Sequence, residues 1–189
     1  MFIGASLNPE YYKEKINLFI ALAPVASTEH VSNKKIRLVA NHIGIAEYLI
    51  VNVLGIYNWF PNQSKDSEEI ADAFCMIDDE LCDASTSDFI DDESSNMLGF
   101  GGSYFPAGQT YRASVYYSQS INGSYRFNLY DYGRFKNKKV YGQNEPPVVP
   151  LDAFDLPTAI QSGSIDHLAT PEDVAWLTEQ LGDKVVFNQ

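Results

Sequence analysis

Near each end of this 189-residue chain, a short apolar run that reads as a buried strand leads into the signals of a helix. The run Ile16-Asn17-Leu18-Phe19-Ile20-Ala21-Leu22 is stopped by Pro24 and has the nearly continuous apolar character of a strand in a parallel sheet. The second, Pro157-Thr158-Ala159-Ile160-Gln161, enters a sharp loop and then Thr170-Pro171-Glu172-Asp173. That tetrad sets an N-cap residue, a proline at the first helical position and an acid at the third. Gly182 ends the helix, and residues 184–188 start another strand. Parallel strands need long crossovers, and here residues 23–156 separate the first strand from the second. An α/β core interrupted by an inserted segment follows.

The insert is mainly helical. Over residues 39–54, Val39, Ile43, Ala46, Leu49, Ile50 and Val53 recur at threes and fours, which predicts an amphipathic helix. Residues 67–83 have helical spacing but are strongly acidic, and twelve of the 25 acidic residues lie between Lys65 and Glu93. Without the spacing of an EF-hand loop, that run reads as a solvated outer face rather than a calcium site. Residues 98–142 are rich in Gly, Tyr and Phe, with a helix predicted over 110–121, and 144–150 form a Pro-rich connector. At the start, residues 2–7 read as the tail of a helix and Asn8-Pro9 as the start of the next. The expected division is a core piece at 1–26, an insert at 27–150 and a second core piece at 151–189.

Composition narrows the function classes. A formal net charge of −12, with 13 scattered basic residues, argues against nucleic-acid binding, which needs clustered Lys and Arg. No metal-ligand spacing or cofactor motif is present. The apolar stretch at 41–57 is interrupted by Asn, Gly and Glu, so no membrane-spanning segment is expected. The first residues lack the basic start of a signal peptide. Asn62-Gln63-Ser64 and Asn122-Gly123-Ser124 are N-glycosylation sequons, which fit a protein of the secretory pathway. Cys75 and Cys82 are the two cysteines. On one regular helix their separation would be about 10 Å, beyond disulfide reach, so a bond requires a bend around 77–80. Two free buried thiols are the alternative.

A series of motifs in order along the chain resembles acid lipases of the gastric and lysosomal type, which are α/β-hydrolases. Ala21-Leu22-Ala23-Pro24-Val25-Ala26 is similar to the end of the family's strand after the nucleophile helix. Pro106-Ala107-Gly108 with Thr110 resembles a motif of the family's cap, with Gln109 as an extra residue, and Tyr116-Tyr117-Ser118-Gln119 follows, Tyr116 standing where the family often has His. Tyr130-Asp131-Tyr132-Gly133, Asn137, Tyr141-Gly142 and Pro146-Pro147 come next. Then Pro157-Thr158-Ala159, Gly163, Asp166, Leu168-Ala169 and Pro171-Glu172-Asp173-Val174 match the segment carrying the acid of the catalytic triad. The resemblance implies a partial α/β-hydrolase core interrupted by a cap or lid, a disulfide between Cys75 and Cys82, and a secreted or lysosomal parent protein. No cofactor is implied.

By the same resemblance, Asp166 is the catalytic acid, orienting a histidine that activates a serine. No G-x-S-x-G elbow occurs in the chain, and no histidine follows Asp166 at the family's distance. Ser6, Ser103, Ser124 and Ser164 each follow or approach a Gly without completing the elbow, so none is expected to be the nucleophile. His167 adjoins Asp166, but neighbouring side chains on such a loop diverge. His30 and His42 read as surface or packing residues. The face at 39–54, with Tyr57, Trp59 and Phe60, is expected either to cover an acyl-chain tunnel or to pack the cap onto the core. The leading expectation is a segment of a serine lipase cleaving triacylglycerols or sterol esters at a lipid–water interface, inactive by itself. The alternatives are a non-catalytic, secreted lipid- or lipase-binding chain and a secreted glycoprotein interaction module.

Overall fold

The computed structural model describes residues 1–59, 65–86, 108–123 and 125–189. They pack as two compact units, one built from 1–33 and 123–189 and the other from 34–122.

The first unit opens with helices α1 (Phe2–Leu7) and α2 (Pro9–Lys15), separated where Pro9 takes the first helical position of the second. Strand β1 (Phe19–Leu22) follows, and after the second unit the chain supplies β4 (Thr158–Gln161), helix α8 (Pro171–Leu181) and β5 (Val185–Asn188). The sheet order is β1-β4-β5, all parallel, with Ala21 beside Ile160. One face of this sheet presents Ala21 and Ile160 to a core shared with Phe2 and Ala5 of α1, Phe154 and Leu156, and Val174, Leu177 and Leu181 of α8. Ile160 and Leu177 are fully buried, each side chain worth about 2–3 kcal/mol by area. The register puts Ile20, Ala159 and Phe187 together on the opposite face, with Leu22 beside Gln161. There Ile20 is 58% and Leu22 69% exposed, whereas parallel sheets normally have both faces covered.

Residues 123–150, read from the sequence as part of the insert, pack in this first unit. Phe127 and Val149 enter its core, and Asn128 bridges antiparallel to Val148. Between them lies helix α7 (Arg134–Tyr141), ended by Gly142 in the left-handed conformation. The apolar periodicity that announces a helix is missing from α7 because its buried residue is Asn137.

The second unit contains α3 (Lys34–Glu47), α4 (Lys65–Cys75), α5 (Asp79–Thr86) and α6 (Tyr111–Asn122). A two-stranded antiparallel ribbon joins β2 (Asn58–Trp59) and β3 (Gln109–Thr110). Its core gathers Ala46, Ile50, Val51, Ile56, Trp59, Ile70, Phe74 and Leu81. Helix α3 runs on as a π-helical turn, Tyr48–Val53, in which the Leu54 N–H reaches back five residues to the Leu49 carbonyl. The wider turn shifts the phase of the apolar face by about one residue. Val51 is therefore buried, and Val53, expected inward, is 61% exposed.

Taken together, 34–53 is one 20-residue helix long and apolar enough to cross a membrane, although the interrupted sequence predicted no such segment. Core helices also meet that criterion. This one packs Ala46, Ile50 and Val51 inward and carries Lys34, Lys35 and Arg37 in its first turn.

The cysteines are joined. Helix α4 ends at Cys75, and Asp78 starts α5 by accepting the Glu80 and Leu81 N–H groups at 2.9 and 3.2 Å. That cap turns the chain, bringing the Cys75 and Cys82 Cα atoms to 4.0 Å within a disulfide.

Candidate functional site

The loops leaving the carboxyl ends of β1 and β4 are hydrogen-bonded to one another. The Ala23 N–H donates to the Gln161 carbonyl at 2.7 Å, and the Ser32 N–H donates to the His167 carbonyl at 3.1 Å. The end of β5 joins them, because Ser162 N–H donates to the Gln189 carbonyl at 2.9 Å. Ala23 takes up a φ of 45°, a backbone conformation that favours glycine, as the chain leaves β1 for Pro24.

Asp166 is half-buried in the β4 loop. Its Oδ1 accepts the Leu168 and Ala169 N–H groups, both at 2.8 Å, which clamps the carboxylate to its own loop. Oδ2 has no hydrogen-bond partner among the described residues and remains available to a donor. A carboxylate held by one oxygen and open at the other is suited to orienting an imidazole N–H.

The adjacent His167 takes a different partner: its Nδ1 lies 2.8 Å from the Ser32 hydroxyl. Ser6 sits in α1 and is buried, without the strand-to-helix turn a nucleophile elbow needs. Ser164 is exposed on the Asp166 loop, while Ser103 and Ser124 lie outside the described residues.

A second polar cluster, unread in the sequence, surrounds Asp173. This carboxylate, 2% exposed at the third position of α8, accepts the Ser27 hydroxyl at 2.6 Å, the His30 N–H at 3.0 Å and the Thr170 hydroxyl at 3.3 Å. The His30 Nδ1 lies 3.0 Å from the same Oδ1 that Ser27 occupies. Burial pushes the Asp173 carboxyl up, but the hydrogen bonds from Ser27 and from the His30 ring and backbone more than offset it, leaving it below its ordinary value. Serine, histidine and aspartate thus meet in the wrong order for a triad. In a triad the imidazole bridges serine and acid, whereas here the acid bridges serine and imidazole, and Ser27 is buried.

Glu29, His30 and Asp173 bring potential ligand atoms within 4.8 Å of one another. Asp173 is already saturated by N–H and O–H donors, and the Arg126 guanidinium holds Glu29 at 2.7 Å. The group is better suited to latching the loop after β1 onto α8 than to binding a cation. The signal for half of it was local: Thr170 caps α8, accepting the Asp173 N–H at 3.4 Å. Nothing local pointed to Ser27 or His30.

The other predicted positions are dispersed. Trp59 is buried in the helical unit's own core, Tyr57 is exposed, and Phe60, Pro106 and Ala107 lie outside the described residues. His42 Nδ1 lies 3.0 Å from the Leu38 carbonyl on its own helix. Asn122, at the end of α6, donates its side-chain N–H to the Ala40 carbonyl at 2.6 Å, and Asn62 lies outside the described residues.

No family model matches the chain. Among curated proteins it is similar to gastric triacylglycerol lipase of Homo sapiens, 29% identical across all of this chain and 47% of that protein. The mouse gastric triacylglycerol lipase is 30% identical over 95% of the chain and 46% of its own length. Lysosomal acid lipase/cholesteryl ester hydrolase of Rattus norvegicus is 29% identical over 95% of the chain and 45% of its own length. The chain spans about half the length of these relatives. With parallel strands on either side of a helical segment, and similarity running along its whole length, the chain is a relative of the gastric and lysosomal acid lipases.

Proposed function

We propose that this chain is the cap-bearing segment of an α/β-hydrolase that cleaves neutral lipid esters, such as triacylglycerols or sterol esters, at a lipid–water interface. Asp166 is its catalytic acid. The observation that carries this reading is the carboxylate anchored through Oδ1 at the carboxyl edge of three parallel strands, with Oδ2 open. Such edges are where hydrolase sites assemble. The open oxygen accepts an imidazole N–H, fixes the tautomer and stabilises the imidazolium formed when the ring takes a serine's proton. Serine, histidine and oxyanion donors come from the rest of the protein, and β5, ending beside the Asp166 loop, leads in the right direction to bring a histidine.

Of the region 27–150 inserted by sequence, residues 34–122, which pack as their own unit, act as the cap over the acyl chain, and secretion or lysosomal delivery fits the Cys75–Cys82 disulfide and the Asn62 and Asn122 sequons. In the longer protein, Asp166→Asn lowers kcat on a short-chain nitrophenyl ester by about 10⁴-fold while KM changes little. The 189-residue chain alone turns nothing over. Turnover by this chain that Asp166→Asn abolishes would reveal a nucleophile within it and defeat the proposal. A non-catalytic lipase-binding chain is the second reading, favoured by the bare face carrying Ile20 and Leu22. It predicts binding to a lipase without any effect of Asp166→Asn.

A further inference from the structure

Helix α7 concentrates four of the chain's 13 basic residues, Arg134, Lys136, Lys138 and Lys139, within eight positions that hold no acid. The chain as a whole carries −12, so all other residues together carry −16. In the first turn of this basic helix, between Arg134 and Lys136, stands Phe135, 93% exposed. We infer that α7 is a docking element for membrane surfaces bearing anionic headgroups, with Phe135 entering the acyl boundary while the flanking lysines meet the phosphates.

The helix is fixed so that this face points outward. Asn137, 1% exposed, accepts the Tyr132 N–H at 2.9 Å and donates to Asp131 Oδ1 at 2.7 Å and to the Asn144 carbonyl at 3.0 Å. Tyr141, four residues on and on the same side of the helix, donates its hydroxyl to the Tyr130 carbonyl at 2.9 Å. With Asn137 and Tyr141 inward, Phe135, Lys138 and Lys139 share the opposite face, since they stand at i, i+3 and i+4. The Lys136 ammonium lies over the Tyr132 ring at 4.8 Å. Arg134, Lys138 and Lys139 make no ion pair among the described residues.

Two plainer explanations are incomplete. Lysines near a helix C-terminus complement its dipole, which accounts for Lys138 and Lys139 but not for the ring beside them. Single exposed apolar residues are common, but this one sits on a helix anchored through Asn137 and Tyr141, among four basic side chains. A lipid surface satisfies both groups at once, offering anionic headgroups to the lysines and a hydrocarbon boundary to the ring. The remaining −16 charges oppose every anionic partner alike, so the exposed ring discriminates: neither a phosphate backbone nor an acidic polypeptide offers this convex helix an apolar layer for Phe135. Because the helix is short, binding is peripheral and reversible. Each lysine near an anionic surface contributes about fivefold in partitioning, and burial of the Phe135 ring about tenfold.

The test is co-sedimentation of the full 189-residue chain with phosphatidylcholine vesicles, with or without ~30% phosphatidylserine, which supplies the surface potential. Excess binding to the anionic vesicles is expected, weakening as salt rises. Lys138→Gln/Lys139→Gln should lower that excess about 25-fold and Phe135→Ser about tenfold. Circular dichroism of these surface variants should match the parent, and the charge-matched pair Lys34→Gln/Lys35→Gln should bind as the parent does. The inference is overturned by equal binding to both vesicle types, by an excess that survives both α7 variants, or by polyglutamate capturing the chain through Phe135 and competing with vesicles. None of these outcomes depends on ester hydrolysis.

Discussion

The Asp173 latch makes a quantitative prediction about what holds the loop after β1 against α8. Replacing Asp173 with Ala removes the acceptor for the Ser27 and Thr170 hydroxyls, both at most 3% exposed, and for the His30 backbone N–H. Hydrogen bonds to a charged group are worth about 1.5–3 kcal/mol each, but the hydroxyls can rotate to other acceptors and His30 is partly solvated, so the contributions do not add. A loss of about 3 kcal/mol is expected for Asp173→Ala, and about 2 kcal/mol for Asp173→Asn, which keeps one acceptor oxygen. Ser27→Ala should cost about 1.5 kcal/mol in the parent and almost nothing beside Asp173→Ala, a coupling near 1.5 kcal/mol. The native carboxyl titrates below its unfolded value, so its contribution is complete above about pH 4 and disappears as pH falls through the lower native value. The parent and Asp173→Asn should therefore converge in stability on acidification. Urea midpoints read with hydrogen exchange along α8 measure all of this. A Ser27→Ala effect of equal size in both Asp173 backgrounds would refute the latch.

Three further measurements probe the rest of the structure. Cys75→Ser/Cys82→Ser should destabilise the helical unit by about 2.5 kcal/mol, the loop entropy of a seven-residue separation, visible as earlier melting of α4 and α5 amide protection. Ala23→Gly should be neutral or stabilising by up to about 1 kcal/mol in thermal unfolding, because glycine relieves the φ of 45°; a loss beyond 1 kcal/mol would contradict the strained turn. Val51→Ala should cost about 2 kcal/mol and Val53→Ala under about 0.5 kcal/mol, the reverse of what an uninterrupted α-helix would give, and urea denaturation separates the two.

The sheet leaves Ile20 and Leu22 exposed on one face, and the Asp166 carboxylate is clamped through one oxygen with the other open. The clamp matters chemically: two N–H groups on Oδ1 fix the carboxylate's direction, the preorganisation that the orienting role proposed for Asp166 requires.

Sequence alone determined the elements whose signals are local. Thr170, Pro171 and Asp173 announce α8, Gly182 ends it, and the apolar runs before Pro24 and before the Asp166 loop announce β1 and β4, because capping and burial patterns act over a few residues. Asp166 stood out through the resemblance of its strand–loop–helix segment to acid lipases, and its role is a proposal. Tertiary structure decided the rest. Ser27 and Asp173 are 146 residues apart, and the π-helical turn moves Val51 inward in place of Val53. Helix α7 hides a polar Asn137 where a pattern would look for leucine, and so turns Phe135 to solvent. In each case the deciding contact forms only after distant segments meet. A hydrogen bond or a buried face is then set by which groups the closed chain leaves without water, and no window of neighbouring residues carries that information.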